Sequence, residues 1–343
     1  MVSVTLMGMK PLFPLLLVAA IASAPASAQE PVPPVFELPV DCDLSAECSI
    51  QKYVDHDPGP GRLDYACGRL SKDGDTGTDF RVANYPAMEE GVAVLAAADG
   101  VVRAVRDNMD DISVREIGAG IIEGREAGNA VAINHGDGWE TQYSHLKRGS
   151  ISVKVGDKVT VGDVLGEIGL SGNTEFPHVE FTVRQGGVAI DPFVGSGEFR
   201  LCGEAADPLW SQAALAKLPY RPVVVLSSGF HSGSADADAA RKGRYGHGGV
   251  DSNAPALVFW LDLSGVQKGD RERLMMIGPD GRALVQIDRP LEEHNISWFV
   301  FAGVKRPEKG WRIGDYRADY SLSRDGKILA EASQTLSLKS APE

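Results

Sequence analysis

Three short patterns in this chain hold residue types that could do chemistry: Asp75-Thr-Gly-Thr-Asp79, Tyr143-Ser-His145-Leu146 and Pro177-His178-Val-Glu180-Phe181. Imidazoles and carboxylates gathered at one point can hold a divalent metal, take a proton from water and stabilise an oxyanion, the equipment of metal-assisted hydrolysis. His178 and Glu180 stand two apart, so on a strand both side chains leave the same face. Asp75 and Asp79 flank Gly77 in a stretch that reads as extended or turning. None of these patterns specifies a site by itself. Asp75 and Asp79 are equally ordinary turn residues beside a glycine, and His145 near Tyr143 equally reads as a hydrogen-bonded core histidine.

A fourth feature is the glycine-spaced run from Val155 to Gly166. Taken in order, the four segments resemble the LytM/lysostaphin-type metallopeptidases, family twenty-three of that class, which cut peptide cross-links in peptidoglycan. That family carries H-x-x-x-D, then a histidine in a Tyr-x-His-Leu turn, then H-x-H on a strand. The resemblance implies that Asp75, Asp79 and Glu180 occupy the metal-ligand positions, with Asp75 and Glu180 standing where the family has histidine. It also implies that His145 and His178 occupy the two positions that handle the water and the transition state. No residue is assigned to an organic cofactor.

The substitutions bear on the metal. Imidazole nitrogen suits zinc, whereas three carboxylates make a hard, all-oxygen, highly anionic set that leans towards calcium, magnesium or manganese. Without an ion the carboxylates repel, and at least one pKa should rise. The cofactor expected of an active form is zinc; another divalent cation, or none, are the alternatives. The leading expectation is an exported protein that binds peptidoglycan, or regulates a cell-wall hydrolase, without catalysis. Its rivals are an active endopeptidase with a non-standard site, and a structural envelope protein whose second domain makes the main contact.

The whole chain sets the frame. Its 343 residues are enough for two domains with separate cores. Lys10, the apolar stretch Pro11 to Ala22 and the small-x-small sequence Ala26-Ser27-Ala28 read as a signal peptide over 1–28, placing the protein in the periplasm or outside the cell with no membrane segment after cleavage. The formal charge of −13 argues against nucleic acid or anionic lipid as partner. Cys42, Cys48, Cys67 and Cys202 permit two disulfides. Of the three possible pairings, Cys42–Cys48 with Cys67–Cys202 is favoured. A cysteine zinc site is disfavoured, because no C-x-x-C pair is present.

The elements that must position the chemistry read as all-β: a LytM-type antiparallel β domain followed by an immunoglobulin-like β-sandwich. Residues 29–61 form a proline-rich, irregular arm in which His56 reads as a solvated loop histidine. The peptidase-like domain spans 62–200. Its short β-branched runs suggest a hairpin around Asp99-Gly100, a second around His135 to Gly138, an alternating stretch Ile151 to Val155, and a final strand His178 to Val183. Residues 107–127 read as a long surface loop beside the site. A linker over 201–221 holds a helix from Asp207-Pro208 to about Leu218, with Asp207 as N-cap. Seven short strands across 222–338, two of the connections being the tight turns Pro279 to Gly281 and Arg324 to Gly326, suggest the sandwich. The stretch from His231 to Asn253 reads as a loop in which His231 and His247 are solvated.

Overall fold

A computed structural model describes residues 1–3, 8, 32–196, 207–245 and 250–339. The signal-peptide reading, Cys202 with its pairing to Cys67, and His247 all fall outside the described residues. The chain divides into two compact units, Met1–Val32 and Pro33–Glu343, and every element below belongs to the second. Among the described residues no helix is long and apolar enough to cross a membrane.

The arm is not irregular throughout. Its segment Cys48–Lys52 is strand β1, which pairs antiparallel with β2 (Thr78–Val82). The strand is short and follows a proline-rich stretch, so its alternation was too brief to stand out. After helix α1 (Tyr85–Glu90) come β3 (Ala93–Leu95), β4 (Gly100–Arg106), the short helix α2 (Val114–Ile117), β5 (Asn129–Gly136), β6 (Trp139–Leu146), β7 (Lys158–Val159), β8 (Val164–Glu167), β9 (His178–Gln185) and β10 (Val188–Ile190). One sheet runs in the order β1-β2-β9-β6-β5-β4-β7, with β10 added to β9, while β3 and β8 form a separate pair.

The alternation of β9 shows how the sequence serves both core and site. Val179, Phe181 and Val183 are fully buried in the core, and His178, Glu180 and Thr182 turn to the opposite face. β2 does the same, sending Phe80 and Val82 inward and Asp79 and Arg81 to the other face. Phe36, Phe181 and Trp210 meet at ring separations of 5.5 to 6.3 Å, anchoring the segments around Phe36 and Trp210 to the back of this sheet.

The expected hairpin at His135 to Gly138 forms between β5 and β6, with Asp137 and Gly138 in the left-handed region at φ 49° and 82°. The one expected at Asp99-Gly100 does not form. β3 pairs with β8, and β4 with β5 and β7, so Asp99-Gly100 joins two sheets instead of two neighbouring strands. The alternating stretch Ile151 to Val155 forms no strand, and its residues meet the β3–β8 pair through single bonds such as Ser152 N–H to Leu165 O, 3.1 Å. The linker helix is shorter than expected: α3 covers Gln212–Leu215, and its N-cap is Ser211, whose hydroxyl accepts from Ala214 N–H. Leu209 and Trp210 are held back by core packing, and Trp210 bridges to Phe36.

The second β unit holds all seven expected strands: β11 (Val224–His231), β12 (Ala256–Val266), β13 (Arg271–Ile277), β14 (Ala283–Pro290), β15 (Asn295–Lys305), β16 (Gly314–Arg324) and β17 (Lys327–Leu338). They form a three-stranded sheet β11-β12-β15 and a four-stranded sheet β14-β13-β16-β17, the division of an immunoglobulin-like sandwich. A core that includes Phe259, Leu261, Met276, Tyr316 and Leu322 lies between them. The stretch after His231 is not all loop. Asp236 caps helix α4 (Ala237–Arg241), and His231, half-buried, stacks on Tyr245 at 4.0 Å. The acidic cap was hidden by the surrounding Gly/Ser/Asp composition.

Candidate functional site

The outward faces of β2, β6 and β9 form the floor of a cleft of about 670 Å³. Asp75, Asp79, His145, His178 and Glu180 all line it, so the five residues singled out from sequence share one site. Asp79 and Glu180 are direct partners across β2 and β9. The side chain of Glu180 lies over Gly77, where an added Cβ would come within 2.6 Å of its Cγ. Gly77→Ala is therefore expected to displace Glu180 and to destabilise the fold by about 1–3 kcal/mol, as overpacking does. Urea unfolding of the variant checks this, and an unchanged midpoint would show that the strand yields freely.

His145 sits at the end of β6 with φ 65°, a left-handed conformation that is uncommon for a residue with a side chain. Its backbone N–H donates to Ala127 O, and its Nδ1 is held by Ser171 O at 2.7 Å. That leaves Nε2 facing Glu180 Oε2 at 3.5 Å. His178 is oriented in the same manner, with Nδ1 2.9 Å from Phe176 O and Nε2 3.5 Å from Asp79 Oδ2. The two imidazole rings are 4.7 Å apart. Burial, reinforced by His145 and Lys52, drives the His178 pKa well below the usual histidine range, so its ring is neutral.

The residue that organises the carboxylates is one that sequence reasoning missed. Lys52 Nζ lies 2.9 Å from Asp75 Oδ2 and 2.8 Å from Asp79 Oδ2. Cys48 and Ile50 point into the core, so simple alternation would send Lys52 there too. A register shift between Ile50 and Lys52 reverses this and sets Lys52 opposite Asp79 on the site face. A bulge of this kind leaves no signal in the sequence of the strand that carries it.

Asp79 is completely buried, and among the described residues neither carboxylate oxygen receives a well-aligned hydrogen bond. Lys52 is 2.8 Å from Asp79 Oδ2 and acts on it chiefly through its charge. Burial, with Asp75 and Glu180 nearby, raises the Asp79 pKa to about 7 against the opposing pull of Lys52. Burial works against the Lys52 charge as well, but Asp79 and Asp75 together outweigh it and hold that pKa above the usual lysine range. Burial also pushes Glu180 upwards, and His145, Lys52 and Arg184 more than compensate, leaving it below the usual carboxylate value.

His56 is not the solvated loop residue expected. Its Nε2 pairs with Asp191 Oδ2 at 2.7 Å, away from the cleft lining. One disulfide joins Cys42 and Cys48, and no described cysteine is free.

Residues 74–192 match the family model described as "Peptidase family M23". The chain carries a peptidase family M23 domain. A DD-carboxypeptidase/endopeptidase Mpg from Neisseria meningitidis is 30% identical over 161 residues, which is 45% of this chain and 31% of that relative. A peptidoglycan DD-endopeptidase ShyA from Vibrio cholerae is 34% identical over 105 residues, covering 31% and 19%. A cell division protein DipM from Caulobacter vibrioides is 30% identical over 95 residues, covering 28% and 13%. The chain thus spans less than a third of the length of each of these curated relatives. Among solved structures, a zinc-containing peptidase from Vibrio cholerae aligns with a TM-score of 0.32 and 28% identity, over 46% of this chain and 39% of that one.

M23 peptidases are typically zinc-dependent, and the side chains of this M23 domain do not fit a zinc ion. Asp75, Asp79 and Glu180, the positions that the resemblance would give to the metal, are all carboxylates, and the Lys52 ammonium already sits between two of them. A divalent cation at that point would have to expel Lys52 from a buried double ion pair. Among the described residues no three His, Cys, Asp or Glu side chains are placed to share a metal. What the arrangement offers is a neutral imidazole beside a second imidazole, lysine-balanced carboxylates and a cleft of about 670 Å³.

Proposed function

We propose that this protein is an exported M23-domain protein of the periplasm or cell exterior that binds peptidoglycan without cutting it, as a binder or regulator of wall hydrolysis. The observation that carries this reading is the Lys52 ammonium between Asp75 and Asp79, because it supplies from within the chain the positive charge that those carboxylates need. A lysine ammonium has no open coordination position at which to activate water. The names of the relatives support the wall as the target, one being described as a peptidoglycan DD-endopeptidase, one as a DD-carboxypeptidase/endopeptidase and one as a cell division protein. One observation favours a second reading, an active metallo-endopeptidase: His145 and His178 remain side by side in the cleft.

The two readings differ in what happens to the polymer. Incubated with purified peptidoglycan, the protein is expected to sediment with it and to release no soluble fragments, with or without added zinc. Release of cross-link peptides by the unaltered protein, abolished by His145→Ala, would overturn the binding reading and establish the enzyme.

A further inference from the structure

The sandwich supplies part of the cleft wall, through Arg241 on α4 and Ile296 and Ser297 on β15. The same cleft is lined from β2 by Arg81, which is 1% exposed. Arg81 Nη1 donates to Gln51 Oε1, Nε donates to Val82 O at 3.2 Å, and the guanidinium lies 4.6 Å from the centre of the Phe176 ring. Among the described residues Nη2 has no hydrogen-bond partner, and Arg81 forms no ion pair.

The neighbouring carboxylates are already committed. Asp262 takes Arg241 in a two-pronged pair at 2.7 and 2.6 Å, and Arg241 also donates to Ser297 Oγ at 2.6 Å. Glu175 on the same rim pairs with Arg115, and Asp79 is held by Lys52. Among the described residues Arg81 therefore lines the cleft as a guanidinium without a carboxylate partner, beside the Arg241–Asp262 pair, in a chain whose overall charge is −13. A buried cation with an unmet donor is costly and rare in folded proteins. A carboxylate is the group that a guanidinium edge matches best.

We infer that the end of the cleft between Arg81 and Arg241 is a carboxylate subsite that takes an acidic group of the bound wall peptide. Phe176, over whose ring the Arg81 guanidinium lies, and Ile296 supply apolar surface to the same cleft. The inference rests on the wall-binding reading above and adds to it that the sandwich completes the binding site.

The test is calorimetric binding of soluble muropeptides to the full mature chain, comparing the natural fragments with the same fragments after their carboxyl groups are amidated. A charge-assisted hydrogen bond of ordinary strength predicts that amidation weakens wild-type binding about tenfold or more. Arg81→Met should weaken binding of the natural fragments by a similar factor and become indifferent to amidation, and Arg241→Gln should weaken it from the sandwich side. The amidation comparison uses the unaltered protein, so it decides the matter even where Arg81→Met folds poorly. Equal wild-type affinity for both forms would overturn the subsite while leaving wall binding intact. Absence of binding to either form would remove the wall-binding reading and the subsite with it.

Discussion

Lys52→Met is expected to lower the unfolding free energy by about 3–5 kcal/mol near neutral pH, the usual cost of stripping one partner from a buried ion pair. The reason is geometric. Lys52 is the charge that balances two carboxylates whose side chains are 8% and 0% exposed, and Asp79 has no aligned donor among the described residues to fall back on. Adding Asp79→Asn to the variant should restore much of the loss, since the charge left behind is then gone. The pH dependence has a definite sign. Asp79 has a folded pKa raised above its ordinary value of 3.8, so over that window the folded state binds a proton that the unfolded state releases. Such a group lowers stability as pH rises through the window. Removing Lys52 takes away the influence that holds the Asp79 pKa down, so the deficit of Lys52→Met should be largest above pH ~7, where the wild-type carboxylate is charged, and shrink as pH falls through that value. Chemical denaturation across that range checks both statements. A variant as stable as the wild type at neutral pH would show that Lys52 is not the compensating charge.

The same residue marks where sequence reading stopped. The positions that alternation governs could be read directly: His178, Glu180 and the core residues between and beyond them keep strict period two, and all seven sandwich strands carry enough β-branched and aromatic residues to be seen. The five candidate site residues were legible because their order and spacing match a known pattern. Lys52 was not, because a bulge, not a periodicity, aims it. Arg241 and Ser297 were not, because their place in the cleft depends on how the sandwich packs beside the M23 domain, a contact between residues far apart in the chain. The failed hairpin at Asp99-Gly100 has a related cause. A two-residue turn signal states that the chain reverses, and only the surrounding pairing decides whether the two flanking strands join one sheet or two.

The combined change Lys52→Ala, Asp75→His and Glu180→His is expected to convert a protein holding less than one equivalent of zinc into one holding a full equivalent. Two imidazoles would then flank the retained Asp79, a donor set suited to zinc, and the ammonium now 2.8 Å from that carboxylate would be gone. Elemental analysis after exposure to a weak chelator reads the stoichiometry. Thermal unfolding reads the energy: zinc at about a thousand times its dissociation constant should stabilise the variant by about 4 kcal/mol. The double change that leaves Lys52 in place separates the two causes, because it has the same imidazoles but keeps the competing charge. It should bind zinc far more weakly than the triple variant. Equal zinc binding by the two would show that Lys52 yields its place readily, and that the histidine losses alone account for the missing fit. The groups that orient the remaining histidines are already present, with Ser171 O holding His145 and Phe176 O holding His178. Partners of this kind normally fix the tautomer and direction of metal-site imidazoles. If the rebuilt ion also supports slow release of cross-link peptides, His145 and His178 will have been shown competent to serve it, and what separates this chain from a working peptidase will lie at Lys52, Asp75 and Glu180.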